Sequence, residues 1–346
     1  MPESVTAPHT HAPLQGRTEA TLPQPRGPLS AVVLDALRAP PPGPAALRRL
    51  WVDDRAAFGD DLQLALHVCY ELHYQGFSSV DAVWEWDAEL LGLRGRMEQV
   101  FLAGLRAATA GGDDVAGELD ALLVEPVGGA GLSRHLCEHG EWWQMRESFV
   151  HRSIYQLKEA DPQMWVVPRL RGRAKAALVA VEYDEYGGGR AERLHAQLYA
   201  DLLAGAGLDP RYLHYLDHVP APSLAIVNAM SLFGLHRALR GALVGHFSAG
   251  EITTASSAGL MVQALQRMGA DDACVHFYRE HVEADAVHEQ VMRRDVVGGL
   301  LDDEPELAGD VVLGIQVAEV LGNRLSDHLT RAWEAGRSSL RRPLPG

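Results

Sequence analysis

His281-Val282-Glu283-Ala284-Asp285-Ala286-Val287-His288 is the stretch from which the rest of the chain can be read. Its three ligand-type side chains fall at i, i+4 and i+7. At 3.6 residues per turn they lie on one stripe of a helix, stacked over two turns. Two imidazoles and a carboxylate on such a stripe suit a borderline metal such as Fe, Mn or Zn. The same pattern also reads as the solvated face of an acidic helix, so it needs company elsewhere in the chain.

Outward from this segment the helical period continues. Leu62, Leu64, Ala65, Val68, Cys69 and Leu72 recur largely at i, i+3 and i+4, and Leu224, Val227, Met230 and Phe233 at i+3 steps. Helix punctuation is frequent, at Asp161-Pro162, Gly187-Gly188-Gly189, Asp209-Pro210, Val219-Pro220 and Gly269. Strand alternation is scarce, and there is no internal repeat, GxGxxG or P-loop. The expectation is an all-α protein. Residues 1–30, rich in Pro, Thr and Ser, read as a disordered tail. Residues 31–130 read as an N-terminal helical region, with Ala39-Pro40-Pro41-Pro42-Gly43-Pro44 as a stiff lead-in and Gly128-Gly129-Ala130-Gly131 as a joint. Residues 131–338 read as the main bundle and 339–346 as a second tail. His9 and His11 fall in the first tail and read as solvated.

The formal charge of −15 argues against a nucleic-acid partner and disfavours anionic membranes, since phosphate binding needs clustered Lys and Arg. Cys69, Cys137 and Cys274 are far apart, which argues against a zinc ribbon or a disulfide framework. The N-terminus lacks the apolar run of a signal peptide, and no stretch reaches the length of a membrane span. A cytoplasmic protein is expected.

Two further segments carry metal-ligand side chains. In Glu182-Tyr183-Asp184-Glu185-Tyr186-Gly187-Gly188-Gly189-Arg190-Ala191-Glu192-Arg193-Leu194-His195, Glu192 and His195 form the Glu-x-x-His pair used in diiron carboxylate bundles. Three glycines within a helical segment cost about 1 kcal/mol each relative to Ala. They imply a kink or a close backbone approach. In Tyr155-Gln156-Leu157-Lys158-Glu159-Ala160-Asp161-Pro162, Glu159 ends a helix whose apolar positions Phe149, Ile154 and Leu157 imply a buried face. By pattern alone Glu159 reads as an exposed helix end. The three segments together hold more ligands than a mononuclear two-His-one-carboxylate site uses, and with water or oxygen filling the gaps they would complete two six-coordinate irons.

Other candidates have plainer readings. His67, His73 and Glu71 share a Leu-rich helix and read as satisfied, partly buried groups. Tyr183, Tyr186 and Tyr278 lie near the ligand segments and read mainly as packing, with a role beside the ligands as the alternative. His236 and His246, near Arg237 and Arg240, could face a substrate carboxylate. Glu251 and Glu319 lie on apolar helices and could support the ligands. Trp84, Trp86, Trp142 and Trp143 read as core or interface aromatics.

Over roughly residues 131–338 the chain resembles the haem-oxygenase-like diiron oxidases, annotated broadly as iron-containing redox enzymes. The motifs that carry the resemblance are Leu157-Lys158-Glu159-Ala160-Asp161-Pro162, Asp184-Glu185-Tyr186-Gly187 with His195, and His281-x3-Asp285-x2-His288. It implies a seven-helix haem-oxygenase-like bundle without haem, here with an N-terminal helical extension. It implies that Glu159, Glu185, His195, His281, Asp285 and His288 bind two Fe ions, with Mn as an alternative metal, and that the metals are held loosely. It further implies a non-haem diiron oxidase or oxygenase that uses O2 to oxidise a small amine or carboxylic acid, with an external electron donor where needed and room for a homodimer. In a straight helix Glu185 and His195 stand about 15 Å and about 80° apart, which leaves Glu192 as a rival ligand unless the glycines bend the chain. Two other readings of the same bundle stay open: a metal-independent enzyme of the thiaminase or quinone-cofactor-oxidase type, and a non-enzymatic helical interaction protein.

Overall fold

Apolar side chains at helical spacing can leave water only by packing helix on helix. The computed structural model describes residues 20–41, 46–124 and 131–344, the side chains of residues 46 and 283–287 excepted. Within them there is no strand, and ten α-helices reach ten residues or more. These are α1 Pro28–Leu37, α2 Asp60–Glu71, α3 Ala88–Ala108, α4 Trp142–Gln156, α5 Gly172–Glu185, α6 His195–Gly205, α7 Ala221–Leu235, α8 Arg240–Met268, α9 Asp272–Val291 and α10 Ala308–Glu334. The all-α expectation holds. Local chemistry sets several ends. The Asp87 carboxylate accepts from the amides of Glu89 and Leu90 at the start of α3, and Asp271 accepts from Ala273 at the start of α9. Gly269, at φ 66°, closes α8 in the left-handed conformation.

The long α8 is the spine, packed against both α9 and α10. Where α8 crosses α10, a Cβ on Gly245 would sit 2.0 Å from the Val311 carbonyl oxygen, and one on Gly314 would sit 2.0 Å from that of Ala242. Glycine at both positions lets the two backbones touch, which brings His246 and Glu251 of α8 toward the bundle interior. One hydrophobic cluster runs through Leu34, Phe101, Ile154, Leu243 and Val317, so the N-terminal helices share a core with the bundle.

Two segments depart from the composition-based reading. Residues 20–30, assigned to a disordered tail, pack instead. The Arg26 side chain is fully buried and donates to the Leu216 carbonyl and to Asp60, while Asp61 accepts from the amides of Leu29 and Ser30. At the other end Ser339, also assigned to a tail, is buried, and its amide and hydroxyl both donate to Glu147. Specific polar partners from distant helices hold these polar segments, and no local pattern announces such partners. Residues 1–19, with His9 and His11, and residues 42–45 and 128–130 of the two proposed linkers lie outside the described residues.

A buried ion pair ties the N-terminal region to the bundle. Lys158 Nζ lies 2.7 Å from Glu71 of α2, and both side chains are at most 1% exposed. Tyr212 donates to the other Glu71 oxygen at 2.7 Å, and Lys158 also lies 4.4 Å from the centre of the Tyr74 ring. Removing one member leaves an unpaired buried charge. Glu71→Ala should therefore lower the unfolding free energy by about 3–5 kcal/mol, whereas Glu71→Leu with Lys158→Met should cost far less. Urea denaturation of the three proteins checks this, and equal losses for the single and double variants would contradict it.

Candidate metal centre

Glu159 follows the end of α4 and precedes Ala160, a fully buried alanine held at φ 75°. That conformation costs a non-glycine residue of the order of 1–3 kcal/mol and aims the flanking side chains differently from a continuing helix. Lys158 consequently reaches Glu71, while Glu159 turns into the bundle with only 9% of its side chain exposed. The exposed reading of Glu159 is thus corrected: the helix ends before it, and the turn carries it inward. Asp161, just beyond, accepts from the Tyr186 hydroxyl at 2.9 Å, which ties the Glu159 turn to the residue after Glu185.

The glycine triplet does not sit within a helix. α5 stops at Glu185, and Gly187, Gly188 and Gly189 all take positive φ. A Cβ on Gly187 would lie 2.5 Å from the Arg193 carbonyl carbon, so only glycine allows the chain to fold back this tightly. The Tyr183 hydroxyl donates to the Gly188 carbonyl and covers the turn from outside. His195 then opens α6 with Nδ1 only 2.7 Å from a Glu185 oxygen. The straight-helix separation of these two residues vanishes because the helix is broken. Glu192, the rival, is exposed on the intervening turn and belongs to neither ligand group described below.

α9 supplies His281 and His288, both buried. His281 Nδ1 donates to the Phe277 carbonyl at 2.8 Å, which leaves Nε2 facing Glu159 at 3.7 Å. His288 has Nε2 at 3.2 Å from Asp184, while Nδ1 lies 2.9 Å from Glu251 and 3.7 Å from Glu185. In each case the outer nitrogen is occupied and the inner one is turned to the carboxylates, as in metal-binding imidazoles. The side chain of Asp285 lies outside the described residues.

Two sets of donor atoms result, each mutually within 4.8 Å: Glu159, Glu185, His195 and His281, and then Glu185, Glu251 and His288. Glu185 belongs to both. Of the sequence-stretch candidates, five come together here, joined by Glu251, which the sequence offered only as a supporting group. Sequence reasoning missed Glu182. It is 1% exposed, both its oxygens lack hydrogen-bond partners, and it lies one turn before Glu185. That i, i+3 spacing was the available signal. Burial, then the neighbouring Glu185 and Glu251 charges, hold its carboxyl well above the usual range. A cavity of about 570 Å³ opens onto Glu159, Glu185, Glu251 and His281 and is walled partly by Ile226, Met230 and Phe247. His246 lines it as a neutral imidazole, its pKa pushed down by burial to about 4. His236 instead pairs with Glu98 at 3.0 Å, and Glu319 is an exposed residue of the cavity wall. Tyr278 is buried and stacked on Phe149. His67 Nδ1 bonds to Asn228 at 3.2 Å while its Nε2 is buried without a hydrogen-bond partner, so this core histidine is satisfied at one nitrogen only.

The Glu185–His195 pair gives the metal-free chain a pH signature. Burial disfavours the Glu185 anion, but the adjacent His195 outweighs it and holds the carboxyl below its ordinary 4.5. Burial likewise disfavours the His195 cation, but Glu185 outweighs it and raises the imidazole above 6.5. The Glu185 contribution is therefore present above pH 4.5 and lost as pH falls through its depressed pKa. The His195 contribution is complete below pH 6.5 and lost as pH rises through its raised pKa. Metal-free protein should show its largest stabilisation from this pair between pH 4.5 and 6.5. His195→Gln should flatten the alkaline limb of a Tm–pH profile, and a profile unchanged from the parent would rule the pair out.

No curated protein matches the chain. A family model described as iron-containing redox enzyme matches residues 146–322, just over half of the chain and the span that contains every residue of both donor groups. The chain belongs to this family of iron-containing redox enzymes.

Proposed function

We propose that the protein is a non-haem diiron oxidase or oxygenase that uses O2 to oxidise a small organic substrate, an amino-acid-like amine or a carboxylic acid. The observation that carries this reading is the sharing of Glu185 between two buried carboxylate–imidazole groups in a member of an iron-containing family. Glu159, Glu185, His195 and His281 would hold one ion and Glu185, Glu251 and His288 the other. Asp285 is assigned to the set by its place between His281 and His288 in the sequence.

The residues fit such a cofactor. The Glu159 Oε2 atom is buried with no hydrogen-bond partner, and neither Glu159 nor Glu185 pairs with a lysine or arginine among the described residues. Buried carboxylates in this state are costly unless a cation or proton joins them. The mixture of carboxylate and imidazole donors suits Fe, and also Mn. When bound, a pair of ferrous ions would supply the electrons that reduce O2 and so the oxidising power applied to a C–H, C–C or N–H group of the substrate. The chain's own part is to place and shield. Phe277 and Asp184 fix the orientations of His281 and His288, Glu182 retains its proton beside the anionic ligands, and the partly apolar cavity keeps bulk water from the substrate. Its volume of about 570 Å³ suits a small molecule. An external electron donor would complete the cycle for any reaction in which the substrate does not provide all the electrons.

Anaerobic loading with Fe(II) followed by metal analysis tests the assignment. The parent should bind two irons per chain, Glu185→Ala should lose both, and His281→Ala and His288→Ala should each retain one. Substoichiometric iron in the parent, with O2 consumption unimpaired, would point to the metal-independent alternative instead.

A further inference from the structure

A second pocket, of about 680 Å³, lies on the far side of α10 from the proposed active-site cavity. Four arginines line it, Arg324, Arg331, Arg337 and Arg341, against a single acid, Asp327. This concentration stands out in a chain with 31 Lys and Arg against 46 Asp and Glu. Two of the four are accounted for structurally. Arg331 pairs with Asp327 at 3.0 Å near the C-terminus of α10, and Arg341 lies 3.6 Å from Asp60. Arg324 and Arg337 make no ion pair with an acid among the described residues.

Arg324, Arg331 and Arg337 are exposed, while the backbone that carries Arg337 and Arg341 is hydrogen-bonded. The Arg324 guanidinium lies 4.0 Å from the centre of the Phe58 ring. The Arg337 amide donates to the Ala332 carbonyl in the turn that closes α10, and the Arg341 amide donates to the His218 carbonyl. Pro220 and Pro222, at the start of α7, form another part of the wall, where the Ala221 amide donates to Asp60 at 2.8 Å. Arg324 and Arg337, which have no acidic partner among the described residues, add uncompensated positive charge to this pocket, and a bound anion would offset it. Several guanidinium forks around one concavity match the three acceptor oxygens of a phosphate better than the two of a carboxylate.

We propose that this pocket binds a phosphate-bearing small molecule, of a size nearer a nucleotide than a bare phosphate ion. The site is distinct from the metal centre and independent of the function proposed for it. It is nonetheless one layer of side chains from the catalytic cavity. Asn323 and Ser326 of α10 line the cavity, while Arg324 and Asp327 line the phosphate pocket. His151, in the cavity wall, bonds to Ser223 at 2.8 Å on one nitrogen and to Ser339 of the pocket at 2.9 Å on the other.

Isothermal titration at low salt with inorganic phosphate, pyrophosphate and adenosine 5′-diphosphate tests the proposal on the full chain. The diphosphate probes should bind, with affinity that falls as salt is added. In an Arg324→Ala/Arg337→Ala variant binding should weaken by about tenfold or more, the usual scale for charge-assisted hydrogen bonds. Iron content of that variant should match the parent, since neither arginine belongs to either donor group. Adenosine diphosphate binding more tightly than pyrophosphate would identify a nucleotide, and equal binding would identify the diphosphate itself as the recognised group. Absence of heat with all three probes, or equal binding by parent and variant, overturns the proposal.

Discussion

The arrangement depends on one constraint: several carboxylates share the inside of a helical bundle, and among the described residues no lysine or arginine pairs with Glu159, Glu182 or Glu185. Glu159, Glu182, Glu185 and Glu251 come from three different parts of the chain, and burial, with the charges of Glu185, Glu251 and Glu159 added to it, holds the Glu182 carboxyl well above the usual range. In a medium of low polarity such a cluster repels itself unless protons or metal cations join it. Histidines are the only basic groups that approach Glu159 and Glu185 among the described residues, and an imidazole can serve as proton carrier or as metal ligand. A cation-binding role follows more directly from this imbalance than from any single motif.

The bundle maintains the cluster by interrupting helices rather than by extending them. α4 ends just before Glu159, and Ala160 takes a left-handed conformation. α5 ends at Glu185, and the glycines return the chain so that His195 can begin α6 beside it. The Tyr186–Asp161 hydrogen bond links the two interruptions, and the Lys158–Glu71 pair anchors the first of them to the N-terminal helices. The extension thereby touches the site through the backbone of one ligand's turn, although it contributes no ligand to either donor group.

Net charge and local charge also separate clearly. The excess of acids describes the chain as a whole, yet the face formed by α10, the start of α7 and the C-terminal segment concentrates arginines around one pocket. Such a contrast arises because residues far apart in sequence, from Pro220 to Arg341, meet only after folding.

The sequence by itself determined the helical class, because the 3.6-residue spacing of Leu62 to Leu72 and of Leu224 to Phe233 is a local property. It also determined the stripe of His281 and His288, since any helix places i and i+7 on one side. It left the choice between Glu185 and Glu192 open, because that choice rests on how sharply the chain turns at Gly187. The inward orientation of Glu159 depends on the conformation of Ala160, which an alanine does not advertise. The meeting of Glu251 with His288 depends on the crossing of α8 and α9, and the burial of Glu182 on what packs over α5. Packing of residues 20–30 and of Ser339 rests on partners such as Leu216 and Glu147, distant in the sequence. Periodicity fixes the faces of a helix; only the packing of helices against one another decides which faces meet, and with them which acids and imidazoles share a site.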